Sequence, residues 1–149
     1  MDYDPFDLTQ HPPRSPRVQL GGFVLLPRVI DKGRALLKGK IGEYKFNCPM
    51  DQKLFSFLQI NEKQFLEILS KTSSDKEVLK EILKISPLSL ASWQIENWSS
   101  FLQRSGPSDL ESKKFFVTSL EQIAPDREDI GSWFDLLDLD DYVSFGGRP

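Results

Sequence analysis

Ten prolines punctuate this chain of 149 residues, and five of them constrain its folding more than any other feature. Pro27, Pro49, Pro87, Pro107 and Pro125 each stand near the front of a segment whose apolar residues recur at helical spacing. Proline has no N–H to give to a helix interior and clashes with the turn before it, but it is tolerated in the first turn, where that N–H would lack a partner. The prolines therefore mark where helices can begin and limit how long each can run.

The segments between them read as about seven helices. Over 27–38, Leu26, Ile30, Gly33 and Leu37 fall on one face, with Gly39 as a stop. Gly33 costs roughly 1 kcal/mol relative to Ala inside a helix, and it leaves room for a neighbour to come close. Over 49–59, Met50, Leu54, Phe57 and Leu58 align. Asn61 with Gln64, Ser74 with Glu77, and Ser108 with Glu111 have the spacing of reciprocal caps. Later stripes are Ile95, Trp98 and Leu102; Phe116, Leu120 and Ile123; and Ile130, Trp133, Phe134 and Leu137. Trp93 and Trp98, and the run Lys113-Lys114-Phe115-Phe116, are expected to be core aromatics with lysine stems laid over them. Strand alternation is weak and confined to Tyr44, Phe46 and Cys48. Residues 1–22, rich in Pro and Gly, read as an extended arm packed on a single helical domain over 23–149. The expected fold is all-α, one compact domain of about seven helices.

Composition narrows the function. Hydrophobic residues at 39% suffice for a core, and a net charge of −3 with a pI near 5.2 argues against nucleic acid as a partner. A single cysteine excludes an internal disulfide and fits a reducing compartment. A single histidine, His11, excludes a histidine-rich metal site. No apolar run approaches the ~20 residues that cross a bilayer, and the acidic start "MDYDPFDLTQ" lacks the features of a signal peptide. A cytoplasmic protein is expected, with no membrane partner, no cofactor and no resident metal.

Charge is unevenly spread. Residues 1–50 carry an excess of three positive charges and residues 101–149 an excess of five negative ones. In "WFDLLDLDDY", Asp135, Asp138, Asp140 and Asp141 crowd a helix and its C-terminal turn, where the dipole disfavours anions and like charges three residues apart repel. Arg28 has the mirror problem in the first turn of its helix. Local rules broken in an otherwise well-capped chain point to tertiary or functional demand. Arginines from the head (Arg14, Arg17, Arg28 and Arg34, with Asp31 among them), a divalent cation, or a cationic surface on another protein could each satisfy the four aspartates. The calcium-loop pattern does not fit, because no Gly or terminal Glu follows in register.

Cys48 precedes Pro49 and lies three residues before Asp51. As an N-cap it would feel the helix dipole, which favours a thiolate, and Asp51, which opposes it. It is either a reactive thiol or a small residue that starts a helix, and no obvious base accompanies it. The arm segment "PRSP" would suit a proline-recognition groove, a phosphate-binding strand or a docked tail. "LGG" is no nucleotide fingerprint, since neither GxGxxG nor a Walker lysine follows.

Five separated blocks, "PPRSPRVQLGGFVLLPRVIDKGRA", "GEYKFNCPMDQ", "WQIENW", "GPSDLESKKFF" and "REDIGSWFDLLDLDDYVSFGG", together resemble the bacterial family catalogued as domain of unknown function 5069. The likeness runs in order from about Leu8 to Gly147, and over 61–86 it is one of helical character only. It implies small stand-alone relatives with no established activity, and it supplies no mechanism. The blocks include Arg14, Arg17, Arg28, Asp31, Arg34, Cys48, Asp51, Asp135, Asp138, Asp140 and Asp141.

Two classes of function follow. One is a non-catalytic helical binding or protein-interaction domain, which fits the absence of a nucleophile–base pair, a metal-ligand set or a phosphate loop. The other is a small-molecule binder or enzyme, with Arg28 and Arg34 holding an anionic ligand and Asp138 or Asp141 as acid–base groups. A concave pocket of several hundred Å3 lined by these Arg and Asp residues would favour the second; a flat surface with every Arg–Asp pair closed would leave the first.

Overall fold

From Phe23 to Gly33 every residue is buried, so the helix that begins inside this stretch runs through the middle of the molecule. The structure, a computed structural model, describes residues 3–149. The described residues form seven helices: α1 (Leu26–Leu37), α2 (Pro49–Leu58), α3 (Glu62–Lys71), α4 (Asp75–Ile85), α5 (Ser92–Arg104), α6 (Leu110–Ile123) and α7 (Trp133–Ser144). The fold is all-α but for one hairpin of two-residue strands, β1 (Gln19–Leu20) and β2 (Phe23–Val24). No helix among the described residues is long and apolar enough to cross a membrane.

The hairpin arises from Gly21-Gly22. Both have positive φ, 59° and 84°, the backbone that a tight two-residue turn requires. The strands straddle residue 22, where the sequence divides arm from domain. Ser99 of α5 fixes the hairpin: its hydroxyl accepts from Val24 N at 3.1 Å and donates to Gly22 O at 2.6 Å. The expected alternation at Tyr44, Phe46 and Cys48 forms no strand, because positive φ at Gly42 and Asn47 turns the chain twice within the stretch.

The core gathers around α1. Phe23, Phe57 and Trp98 form one aromatic group, the last two stacked at 4.8 Å, and Phe46, Phe55 and Phe65 form another. α1 packs on α3 at Gly33, where an added Cβ would overlap Leu69 Cδ1. The stripe stops short of Leu37, which is exposed because the last turn of α1 projects past its neighbours. Trp93 and Phe115, at 63% exposure each, stand outside the core that Trp98 and Phe116 enter. Each exposed ring lies on the outer side of a helix that has only one packed face.

Caps set most helix starts. Asn61 and Gln64 exchange hydrogen bonds at 2.8 and 2.9 Å. Ser74 accepts from Glu77 N at 3.2 Å, while the Glu77 carboxylate takes Ser73 N. α6 starts one residue later than the Ser108–Glu111 spacing implies, because Asp109 accepts from Ser112 N at 2.7 Å and the Ser112 hydroxyl answers. α7 is capped by Ser132, which leaves Ile130 before the helix and puts Asp135 in its first turn, where a carboxylate suits the dipole.

The arm is held at several points. Leu8 is buried and donates from N to Lys40 O at 2.9 Å, and Pro16 O accepts from Leu25 N at 2.8 Å. Leu25 itself is left-handed, at φ 71°, a conformation costing on the order of 1–3 kcal/mol for a non-glycine; it is offset by complete burial of its side chain. His11 has both ring nitrogens 2.9 Å from carbonyl oxygens, Nδ1 from Pro12 O and Nε2 from Asp4 O. Both must donate, so this arrangement requires the imidazolium. Burial opposes that charge; the two carbonyls, with Asp31 and Asp7, outweigh it and raise the His11 pKa above 6.5. A group with a raised folded pKa contributes stability that is complete below its unfolded pKa and is lost as pH climbs through the folded value. Urea titrations from about pH 5 to about pH 8 should show stability declining on the alkaline side, and His11→Ala should remove that decline.

Candidate functional site

Buried α1 carries three charges, Arg28, Asp31 and Lys32, and each needs a counter-charge because an isolated ion in the interior is prohibitively costly. Each finds it in a different part of the chain. Arg28, 3% exposed, pairs with Asp141 of α7 through two contacts of 2.7 and 3.2 Å. Lys32, 4% exposed, pairs with both carboxylate oxygens of Asp51 in α2, at 2.7 and 2.8 Å. Asp31 accepts from Arg14 of the arm through backbone N, Nε and Nη2.

Further groups complete each pair. Tyr44 donates its hydroxyl to Asp141 Oδ1 at 2.7 Å and lies under the Arg28 guanidinium, 5.6 Å from ring centre. Burial, then the Asp141 contact, push the Tyr44 pKa up, so it stays a donor. Burial disfavours the Arg28 charge, but the bond and charge of Asp141 outweigh this and raise its pKa. Arg14 also reaches Asp75 at the start of α4, at 2.6 Å; that bond leads the causes of its raised pKa.

The C-terminal aspartates divide. Asp141 is buried. Asp135 and Asp138 meet Arg17 at the surface, and Asp138 also accepts from the Ser15 hydroxyl at 2.7 Å. Burial raises the Asp135 pKa, but N–H donors from Gly131 and Ser132, with Arg17, lower it overall. Asp140 has no ion-pair partner among the described residues, and its pKa is raised, first by desolvation and then by Asp141 next to it. Arg34 meets no carboxylate: it donates to Leu69 O at 3.2 Å and Thr72 O at 3.0 Å, capping the end of α3. The structure therefore brings Arg14, Arg17, Arg28, Asp31, Asp135, Asp138 and Asp141 into closed pairs and leaves out Arg34 and Asp140. Among the described residues no three His, Cys, Asp or Glu side chains gather to hold a metal ion.

Cys48 is the N-cap of α2, with Pro49 in the first turn, and its side chain makes no capping bond. Asp51, in the first turn, instead reaches back past the cap and accepts from Asn47 N at 3.0 Å. Cys48 Sγ lies 3.6 Å from Lys32 Nζ. Sequence spacing pointed to no cation beside the thiol, since Lys32 is sixteen residues away. The available signal was its place one turn after Arg28 on the same buried helix.

Above this polar interior lies an apolar groove of about 680 Å3, walled by α2, α6 and α7. Met50, Trp133, Leu136 and Leu137 line it, with Phe115 and Ile123 from α6. Cys48 and Asp140 stand where the groove meets a smaller recess of about 160 Å3 over Arg28, Lys32 and Tyr44. Sequence reasoning missed the groove because α6 and α2 are far apart in the chain. A third depression, of about 510 Å3 between α3 and α4, is lined mainly by solvated charges such as Glu67, Lys71, Glu77 and Lys80.

The family model of "Domain of unknown function (DUF5069)" matches residues 10–143, and the chain belongs to that family. No curated protein matches it.

The two kinds of ion pair differ in energy. Removing one partner of a buried pair strands the other charge and costs about 3–5 kcal/mol, whereas an exposed pair contributes about 0–1 kcal/mol. Urea unfolding should show Asp141→Ala losing about 3–5 kcal/mol and Arg17→Ala losing less than about 1 kcal/mol. Equal losses would mean that burial does not set the strength of these pairs.

Proposed function

We propose that this DUF5069 protein is a non-catalytic helical binding protein of the cytoplasm, and that the groove between α2, α6 and α7 is its binding site. One observation carries the reading: an apolar concavity of about 680 Å3 at the surface, the size and character of small-molecule sites, which run from about 300 to 1,000 Å3 and are mostly apolar with a few polar groups. The arginines available for an anionic ligand support the same reading. Arg14, Arg17 and Arg28 are engaged by carboxylates and Arg34 by carbonyls, so none stands free in the groove. Asp138 and Asp141 are likewise bonded to Arg, Ser or Tyr, which leaves them poorly placed as acid–base groups. The acidic balance supports a partner other than nucleic acid, and the single unpaired cysteine supports a reducing compartment.

A thermal-shift screen of apolar and amphiphilic small molecules tests the proposal. At about 100 times its Kd a ligand adds roughly 2.7 kcal/mol, which for a domain of this size is a rise in Tm on the order of 5–10 °C. Ser119→Trp, which places a bulky ring in the groove from α6, should abolish that shift without lowering the starting Tm by a comparable amount. Shifts that survive Ser119→Trp would move the site elsewhere, and a blank screen would count against the groove.

A further inference from the structure

We infer that the groove selects a small amphiphile whose apolar body lies along Trp133, Leu136 and Leu137 and whose cationic amine meets Asp140; this rests on the groove being the binding site.

The argument is one of charge complementarity. Three of the four C-terminal aspartates already have an arginine: Asp135 and Asp138 have Arg17, and Asp141 has Arg28. Asp140 faces the groove and has no ion-pair partner among the described residues. It lies in the last turns of α7, whose C-terminal carbonyls add negative potential. Arg28 is near but is committed to Asp141 at 2.7 Å, and Lys32 is committed to Asp51. Asp140 is exposed at the groove beside a second carboxylate, Asp141, and gains from a cation that reaches it.

The opposite charge is poorly served. Two helix N-termini open on the groove, those of α2 and α6, and both commonly attract anions. Each already holds an aspartate: Asp51 in the first turn of α2 and Asp109 as the cap of α6. An anionic ligand in the groove would meet Asp109 as well as Asp140, while Asp51 lies buried beneath, paired with Lys32. Lys53, the groove's own cation, is exposed on α2 and so well hydrated. The aromatic faces of Trp133 and Phe115 accept an ammonium as readily as an alkyl chain.

The test compares three probes of equal chain length: n-octylammonium, n-octanol and octanoate. Titration calorimetry on the wild-type protein should show n-octylammonium binding about threefold to fivefold more tightly than n-octanol, as suits an exposed ion pair, with octanoate weakest. Asp140→Asn should reduce n-octylammonium to the level of n-octanol and leave n-octanol unchanged. Asp140→Glu, which keeps the charge, should retain the preference. Unchanged n-octanol affinity and helical circular dichroism establish that the variants are folded. Saturating n-octylammonium should also slow alkylation of Cys48, which lines the same groove. If n-octanol or octanoate binds as tightly as the amine, or if Asp140→Asn leaves the preference intact, the inference is overturned while the groove remains a binding site. If no probe binds and Cys48 alkylates at one rate throughout, the groove reading and this inference fall together.

Discussion

Burying three charges along one helix is the demand that the rest of this fold answers. Phe23–Gly33 is enclosed on every side, yet it includes Arg28, Asp31 and Lys32. In the structure none of these pairs within the helix, and each takes a partner from a different part of the chain. Arg28 draws in α7 through Asp141, Asp31 draws in the arm through Arg14, and Lys32 draws in α2 through Asp51. Arg14 then ties the arm to α4 through Asp75. Hydrophobic contact supplies the driving force for collapse, but it is non-directional. The charge pairs are directional, and an arrangement that breaks one strands a buried ion. Among the described residues no buried side-chain polar atom is left without a partner, so each buried charge is compensated.

This division of labour explains what the sequence revealed. Helix positions were legible because their determinants are local: a proline in the first turn at Pro27 and Pro49, and an Asn or Ser cap at 61 and 74. At Asp109 the neighbouring Ser108–Glu111 spacing competed, and Ile130 extended the apolar stripe past the true cap, Ser132. A charge network on the C-terminal aspartates could be read, with the head arginines as one of three candidate partners, because Asp138, Asp140 and Asp141 lie where dipole and spacing rules disfavour them. Its exact membership could not. Arg34 has the right charge and lies on the same helix as Arg28, but its guanidinium emerges beside the end of α3, where carbonyls are the nearest acceptors. Asp140 and Asp141 are adjacent in sequence, yet a step of one residue around a helix turns one toward the interior and the other toward solvent.

The features that escaped the sequence are those created by packing. Lys32 reads as one more surface lysine until α1 is known to be enclosed. Periodicity cannot distinguish Trp98 from Trp93 or Phe116 from Phe115, since each pair flanks the boundary of a packed face. The hairpin did carry a local signal, Gly21-Gly22, but strands of two residues are too short for alternation to be seen. The groove is a space rather than a segment, so no run of residues announces it.

The groove follows from the unequal anchoring of its walls. α7 is fixed to the molecular centre by the Asp141–Arg28 bond and buries Phe134, Leu136 and Leu139; α2 is fixed through Asp51 and Lys32. α6 has no comparable hold. Phe116 is its one buried residue, and its main packing partner is α7. A helix held along a single line against one neighbour cannot also press against α2, so the space between them stays open. The apolar residues facing that space belong mainly to the two well-anchored helices, which gives the concavity one rigid side and one lightly held side. The floor of the groove is thus tied to the molecular centre by the ion pairs beneath it, while the α6 wall rests on few contacts.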